Sequence, residues 1–164
     1  MAQQHNFEHI YKQHMHDLLR YLLSLTRRKE SAEDLMQETF YRALLHLETY
    51  KGEEVKPWLF KIAYHAFIDW YRKEKKRPTV EIEEWHFTPQ PSAEEQVMIQ
   101  SEIDGWLSDV SALPPAKQNI VLLRDYHGFT YEEIAEMTGY TLSKVKMDLY
   151  RGRQQLKKRK EEDG

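Results

Sequence analysis

Residues 130–160 read TYEEIAEMTGYTLSKVKMDLYRGRQQLKKRK, and this stretch decides the fold of the C-terminal part of the chain. Thr130 and Glu133 have the S/T-x-x-E spacing of a capping box, in which a hydroxyl and a carboxylate satisfy two free N–H groups at a helix start. Ile134, Ala135 and Met137 supply that helix with a buried side, Gly139 can take the left-handed conformation that ends it, and Thr141 can cap the next. On the second helix Val145, Leu149, Gly152 and Leu156 share one narrow sector and should face the first. The opposite side carries Ser143, Met147, Tyr150 and Gln154, flanked by Lys144, Lys146 and Arg151. Two short helices around a turn of this length make a helix-turn-helix, whose second helix presents its N-terminal residues to base edges and later cations to phosphates. From Lys144 to Lys160 eight Lys or Arg stand against Asp148 alone, a local charge of +7. The plainer alternative is a C-terminal hairpin with a solvated basic end.

The chain has 164 residues, no cysteine and a formal net charge of −3. That length suits one or two small domains, and the cysteine count excludes a disulfide framework or a thiolate metal site. There is no early apolar run with a cleavage site, and no apolar stretch near the roughly 20 residues a membrane helix needs, so the expected location is the cytoplasm. The net charge conceals segregation. Residues 1–77 hold 14 Lys+Arg and 11 Asp+Glu, residues 78–112 none and 8, and residues 113–164 10 and 8. Two mildly basic ends flank a purely acidic middle. Nucleic-acid contact by the ends would be salt-dependent, but neither is basic enough to hold DNA well by charge alone.

Asn6 to Thr26 repeats Phe7, Ile10, Tyr11, Leu18, Leu22 and Leu25 at helical spacing, and Ser31 to Leu47 follows the same rule after the charged break RRKE. In the second segment Ser31 is the expected cap, with Leu35, Thr39, Leu44 and Leu47 as core positions. Thr49 to Pro57 contains Gly52, ends in proline and reads as a loop, and a third helix should run from about Pro57 to Lys76. Residues 78–93 carry Pro78, Pro89 and Pro91 among acids and form the predicted linker. Helical pattern resumes at Ser92, stops near Ser111 and restarts at Pro114 or Pro115 with Ile120, Val121, Leu123 and Tyr126, giving a C-terminal domain of about four helices. The predicted fold is all-α: a helical domain at 1–77, an acidic linker at 78–93, and a second helical domain at 94–164.

The third helix, WLFKIAYHAFIDWYRKEKKR, holds more apolar residues than one stripe can bury. Leu59, Ile62, Ala63, Ala66 and Trp70 make a stripe, Phe60, Phe67 and Tyr71 widen it, and Tyr64 and His65 lie beyond. Some rings should be partly exposed beside the cationic tail Arg72, Lys73, Lys75, Lys76 and Arg77, which is the platform and charge track that single-stranded nucleic acid uses. A wholly buried set of rings with a solvated tail is the alternative.

The order of AEDLMQETFYRAL (residues 32–44), WLFKIAYHAFIDWYRK (58–73) and LPPAKQNIVLLRDYHGFTYEEIAEMTGYTLSKVKMDLYRGR (113–153) resembles the extracytoplasmic-function (ECF) sigma factors of the sigma-70 family, small bacterial RNA polymerase specificity subunits. The resemblance covers nearly the whole chain. It implies that Asp34, Leu35, Gln37, Glu38 and Arg42 belong to the helix that docks on the coiled coil of the polymerase beta-prime subunit. It implies that the loop Tyr50 to Lys56 and the helix after it capture a flipped base of the minus-ten element, with Lys51, Lys56, Lys61, His65, Asp69, Trp70 and Arg72 as the candidate contacts. The helix-turn-helix would read the minus-thirty-five element as duplex through Thr141, Leu142, Ser143, Lys144, Lys146, Met147, Tyr150 and Arg151. The expected partners are core polymerase, through its beta-prime and beta subunits, promoter DNA, and an anti-sigma factor, membrane-bound or not. No cofactor, metal or small-molecule substrate is expected. Three departures from the family pattern bear on these roles: His65 replaces a usual asparagine, Asp148 a common basic residue, and Gly152 a usual alanine.

Two other classes compete with this reading. A stand-alone helix-turn-helix regulator would need a ligand or dimer domain in residues 1–110 and would bind duplex without polymerase. A metal enzyme or sensor is suggested by His5, His9, His14 and His16, of which His5 and His9 are an i, i+4 pair, but no third ligand is fixed nearby. No Gly-rich phosphate loop, nucleophile elbow or carboxylate dyad stands in a recognisable context, so the chain is not expected to be an enzyme.

Overall fold

The computed structural model describes residues 2–50, 52, 54–75 and 105–163 of the chain. They divide into two compact units, one before and one after the Pro78–Thr79 bond. Every regular element among the described residues is helical, as the sequence patterns require. The predicted linker, 78–93, lies outside the described residues, as do Ser92 to residue 104 of the pattern that follows it.

In the first unit α1 spans Ala2–Thr26, α2 Lys29–Leu45 and α3 Val55–Lys75. The connection between α1 and α2 is only two residues long and turns on Arg27, whose φ of 60° is left-handed. Thr26 Oγ1 holds the corner, accepting from the Arg28 N–H at 3.3 Å and lying 3.2 Å from the Arg28 carbonyl, to which it donates. The residue preceding the first turn of α2 is therefore Arg28, with no side-chain cap, and the expected cap Ser31 lies inside the helix.

The core of this unit joins Leu18, Tyr21, Leu22 and Leu25 of α1 to Leu35, Met36 and Phe40 of α2 and Leu59, Phe60, Ala63 and Phe67 of α3. Tyr21 and Phe60 meet at 5.1 Å between ring centroids, and Tyr11 packs on Phe40 at 4.5 Å. Thr39 is buried without penalty because its hydroxyl donates to the Leu35 carbonyl at 2.7 Å. Because α3 packs against both α1 and α2, it buries a broad face, and Tyr64 and Tyr71 are core as well. The expectation that Tyr64 lies beyond the buried face is thereby corrected. Leu44, expected in the core, is instead exposed.

In the second unit α4 is Gly105–Val110, α5 Pro115–Val121, α6 Tyr131–Thr138 and α7 Leu142–Asp163. Pro114 precedes α5, and the helix widens at its end into a π turn, Leu122–Tyr126, where the His127 N–H reaches back to the Leu122 carbonyl at 2.9 Å. The buried set includes Leu107, Val110, Ile120, Val121, Leu122, Leu123, Phe129, Ile134, Met137, Val145 and Leu149. No helix of the described residues is long and apolar enough to cross a membrane.

Candidate nucleic-acid and polymerase interfaces

The helix-turn-helix is built by its caps. The Thr130 hydroxyl accepts from the Glu133 N–H at 3.0 Å while the Glu133 carboxylate accepts from the Thr130 N–H at 2.8 Å, closing the capping box. Gly139 ends α6 at φ 78°, a conformation that a side chain would strain. Two residues later the Thr141 hydroxyl accepts from the Lys144 N–H at 3.1 Å and opens α7. Val145 and Leu149 are buried against α6, so the other face of α7 is turned outward.

On that outward face Ser143, Lys146, Met147, Tyr150 and Arg151 are exposed, together with Thr141 and Leu142 at the helix start. The structure thus brings seven of the eight expected duplex-reading residues to one surface. Lys144 is more enclosed: its ammonium lies 3.2 Å from Asp148 Oδ2 and 4.7 Å from the centre of the Tyr140 ring. Asp148, which stands in place of a common basic residue, is buried. Lys146 extends over the Tyr131 ring at 5.7 Å, and Tyr131 also receives Arg124 at 4.7 Å.

Close packing sets the distance of α7 from α5. A Cβ added at Gly152 would come 2.8 Å from Val121 Cγ2, so glycine is the residue that fits this contact. The Arg153 guanidinium grips Asp125 through Nε, at 3.0 Å, and Nη2, and ties α7 to the π turn that precedes α6. The hydrogen bond to Asp125 holds the Arg153 guanidinium more firmly charged than usual.

In the first unit a cleft of about 410 Å³ is lined by Arg42, His46, Thr49, Trp58, Lys61, Ile62 and His65. Its floor comes from the first turns of α3, and its wall from the end of α2 and the short 3₁₀ turn Leu47–Thr49. Thr49 donates to the His46 carbonyl at 2.9 Å, and the Tyr50 ring packs on Trp58 at 4.9 Å, which fixes the start of the loop. Gly52 continues it at φ 85°. A tryptophan wall with two histidines, a lysine and an arginine around it suits the face of a base and a phosphate.

Of the residues expected to meet melted DNA, Lys61 and His65 line this cleft. Asp69 stands next to it, paired with Arg42 at 3.1 Å. Trp70 is half-buried against Phe67 at 5.9 Å, Arg72 is exposed, and Lys56 faces Asp17 at 3.8 Å and the Phe60 ring at 5.8 Å. Lys51 lies outside the described residues. Trp58, His46 and Thr49 also line the cleft and are not among the contacts expected from the sequence. The Tyr50–Trp58 pairing across the proline-ended loop is the signal that links them.

On α2, Asp34, Gln37 and Glu38 are exposed on one face, continued by Tyr41 at 58 %, Leu44 at 46 % and Leu45 at 61 % exposure. Arg42 sits at the edge of this face, its Nε donating to Glu38 Oε1 at 2.9 Å. Leu35 is the correction to the expected docking set. At 5 % exposure it packs the core beneath this face and offers no surface to a partner. Among the described residues no three His, Asp or Glu side chains converge as a metal ion requires.

Residues 10–77 match the family described as sigma-70 region 2, and residues 110–156 match sigma-70 region 4. The chain is 35 % identical over 162 residues to the RNA polymerase sigma factor YlaC of Bacillus subtilis (strain 168), covering 96 % of this chain and 94 % of that one. It is 37 % identical over 153 residues to the ECF RNA polymerase sigma factor SigM of the same organism, covering 92 % of each. The fold is that of the sigma factor RpoE in its co-crystal structure with the anti-sigma factor NepR from Bartonella quintana (TM-score 0.71, 23 % identity, 93 % of this chain and 95 % of that chain). It is also that of CnrH in its complex with the cytosolic domain of CnrY (TM-score 0.73, 19 % identity, 98 % and 91 %).

The chain belongs to the sigma-70 family of transcription initiation factors. Within it the chain is an alternative sigma factor of the ECF type, a non-enzymatic protein that binds bacterial core RNA polymerase and directs it to specific promoters. A stand-alone helix-turn-helix regulator is not favoured.

Proposed function

We propose a division of labour between the two units of this sigma factor. Residues 1–77 dock on polymerase through Asp34, Gln37, Glu38 and the exposed Tyr41, Leu44 and Leu45 beside them, and hold the melted minus-ten strand in the cleft around Trp58 and His65. Residues 94–164 read the minus-thirty-five element as duplex through the outward face of α7. The acidic segment 78–93 joins them, either passing through the basic polymerase cleft as a mimic of nucleic acid or serving as a solubilising tether. The observation that carries the reading is the separation of surfaces: the cleft with its tryptophan wall lies in one unit and the exposed reading face in the other.

The protein acts in the cytoplasm, where core polymerase and promoter DNA are found. An anti-sigma factor is its expected inhibitor, since the RpoE structure is a complex with one, the anti-sigma factor NepR, and CnrH is likewise solved with a partner, the cytosolic domain of CnrY. The exposed Tyr41, Leu44 and Leu45 suit a surface covered by polymerase or by the inhibitor in turn. Run-off transcription with purified core polymerase tests the reading. Asp34→Arg and the Gln37→Ala, Glu38→Ala pair should weaken polymerase binding and transcription with the helical content unchanged, and polymerase binding equal to wild type would reject the docking assignment.

A further inference from the structure

Lys144 is the expected duplex contact that the structure turns aside. It is the third residue of α7, where the positive end of the helix dipole repels a cation. With the lysine four residues before the aspartate, its pair with Asp148 also stands in the less favourable order for a helix surface. Left to these local effects, the ammonium would extend away from the helix beside the exposed Ser143. Instead it lies 3.2 Å from Oδ2 of an Asp148 side chain only 10 % exposed, and 4.7 Å from the centre of the Tyr140 ring. The turn between the helices holds Tyr140 in place. Its N–H donates to Thr138 Oγ1 at 3.2 Å, and the Thr138 hydroxyl donates to the Ile134 carbonyl at 2.8 Å. Asp148 Oδ2 is itself fully buried, and among the described residues no hydrogen bond reaches it, so the Lys144 charge is its compensation.

We propose that Asp148 is a positioning residue that withholds Lys144 from the duplex, so that α7 engages DNA with one phosphate-seeking cation fewer than its sequence offers. The proposal rests on the reading of α7 as the minus-thirty-five helix. Two costs decide where the ammonium stays. Leaving Asp148 would strand a buried carboxylate without its counter-charge, which is strongly unfavourable, whereas a phosphate contact at the solvated edge of a groove is screened by salt. The pair therefore persists on DNA. Being neutral as a unit, it displaces no counterion from the duplex. The exposed face is left with Ser143, Lys146, Met147, Tyr150 and Arg151. Asp148 thereby lowers the part of the affinity that is independent of sequence, because phosphate contacts carry no base information.

The test is a salt series on closed complexes formed by holoenzyme, the full chain with core polymerase, on linear promoter duplex. Asp148→Asn keeps the shape of the side chain and releases Lys144, so the slope of log K against log salt should steepen by about 0.9, the value for one more phosphate neutralised. Between about 50 and 200 mM salt this variant would lose about 3.5-fold more affinity than wild type. Adding Lys144→Gln to Asp148→Asn should restore the wild-type slope, and Lys144→Gln alone should leave the slope unchanged while lowering the melting temperature. Where that single variant is too unstable to assay, the other two decide. An unchanged slope in Asp148→Asn overturns the proposal, as does a double variant as steep as Asp148→Asn, which would mean that Lys144 is not the cation released. A slope that falls by about 0.9 in Lys144→Gln also overturns it, because Lys144 would then already hold a phosphate. Preference among minus-thirty-five variants should be the same in Asp148→Asn as in wild type; a changed preference would mean that the helix itself has shifted, and rejects the assignment. Failure of the underlying reading has its own signature: Ser143→Ala and Lys146→Ala would then leave closed-complex affinity at the wild-type value at every salt concentration.

Discussion

Arg42 Nη1 on α2 lies 3.1 Å from Asp69 Oδ2 on α3, while its Nε donates to Glu38 at 2.9 Å. One guanidinium therefore joins a residue of the proposed docking face to a residue beside the proposed strand cleft, and itself lines that cleft. Burial pulls Arg42 toward the neutral form, but its hydrogen bonds to Glu38 and Asp69 outweigh this and keep it charged. The side chains of Arg42 and Asp69 are 30 % and 51 % exposed, so water screens the pair and its effect on stability is about 0–1 kcal/mol. Its consequence is orientation.

Arg42→Ala and Asp69→Ala should each change unfolding free energy by less than about 1 kcal/mol. Both should impair open-complex formation, and the double variant should be less impaired than the sum of the two by about 0.5–1 kcal/mol, as expected for groups in direct contact. A double-mutant cycle on open-complex formation reads this coupling. A coupling of zero would show that the pair does not shape the cleft.

Gly152→Ala sets two effects against each other. Alanine improves helix propensity by about 1 kcal/mol, but its methyl would come 2.8 Å from Cγ2 of the fully buried Val121. Valine is β-branched and cannot swing its methyl aside, and overpacking of this kind typically costs about 1–3 kcal/mol. We expect net destabilisation in chemical denaturation, partly relieved when Val121→Ala is added to Gly152→Ala. A variant more stable than wild type would mean that the α5–α7 contact relaxes freely.

His14 supplies a pH dependence. Burial, and then the nearby Lys56, push its pKa below the ordinary 6.5, with Asp17 opposing. The folded chain then binds this proton less readily than the unfolded chain, so His14 leaves stability intact above pH 6.5 and lowers it as pH falls from there through the folded pKa. Amide protection in α1, taken relative to the intrinsic exchange rate at each pH, should fall as pH drops across that window in wild type and respond less in His14→Gln. An equal response in both would assign the dependence to other groups.

The helix-turn-helix was legible in the sequence because its signals are local. The Thr130–Glu133 box, Gly139 and Thr141 each act within a few residues, and each forms as spacing predicts. The start of α2 was not legible, since a left-handed Arg27 has no composition signal and follows from closing two packed helices over two residues. Nor was the division of the α3 aromatics. One stripe was expected to be core, but contact with both α1 and α2 draws Tyr64 inward and leaves Trp58 and Trp70 half-buried. Likewise the fit of Gly152 against Val121 and the Arg42–Asp69 pair join residues far apart in sequence, which no single-helix periodicity contains.

The last prediction separates the two DNA contacts. Ser143 and Lys146 lie on the exposed face of α7, so Ser143→Ala and Lys146→Ala should weaken promoter binding on closed, unmelted DNA. Removing a base contact costs about 1–3 kcal/mol and relaxes specificity, whereas removing a phosphate contact weakens all sequences alike. His65 and Trp58 line the cleft of the other unit, so His65→Ala and Trp58→Ala should leave closed-complex affinity near wild type and impair opening. Lys56→Ala belongs with them, although its pairing with Asp17 reserves part of its charge for the α1–α3 seam. Trp70→Ala is the least clean probe, because the ring packs on buried Phe67 and its loss can destabilise the fold by about 3–5 kcal/mol; its melting temperature has to be measured alongside. A template with a pre-melted minus-ten bubble removes the cost of unstacking, a few kcal/mol per base, and should rescue the cleft variants while leaving the α7 variants weak. Equal rescue of both sets, or of neither, would mean that duplex reading and strand capture are not divided between residues 141–151 and residues 50–77.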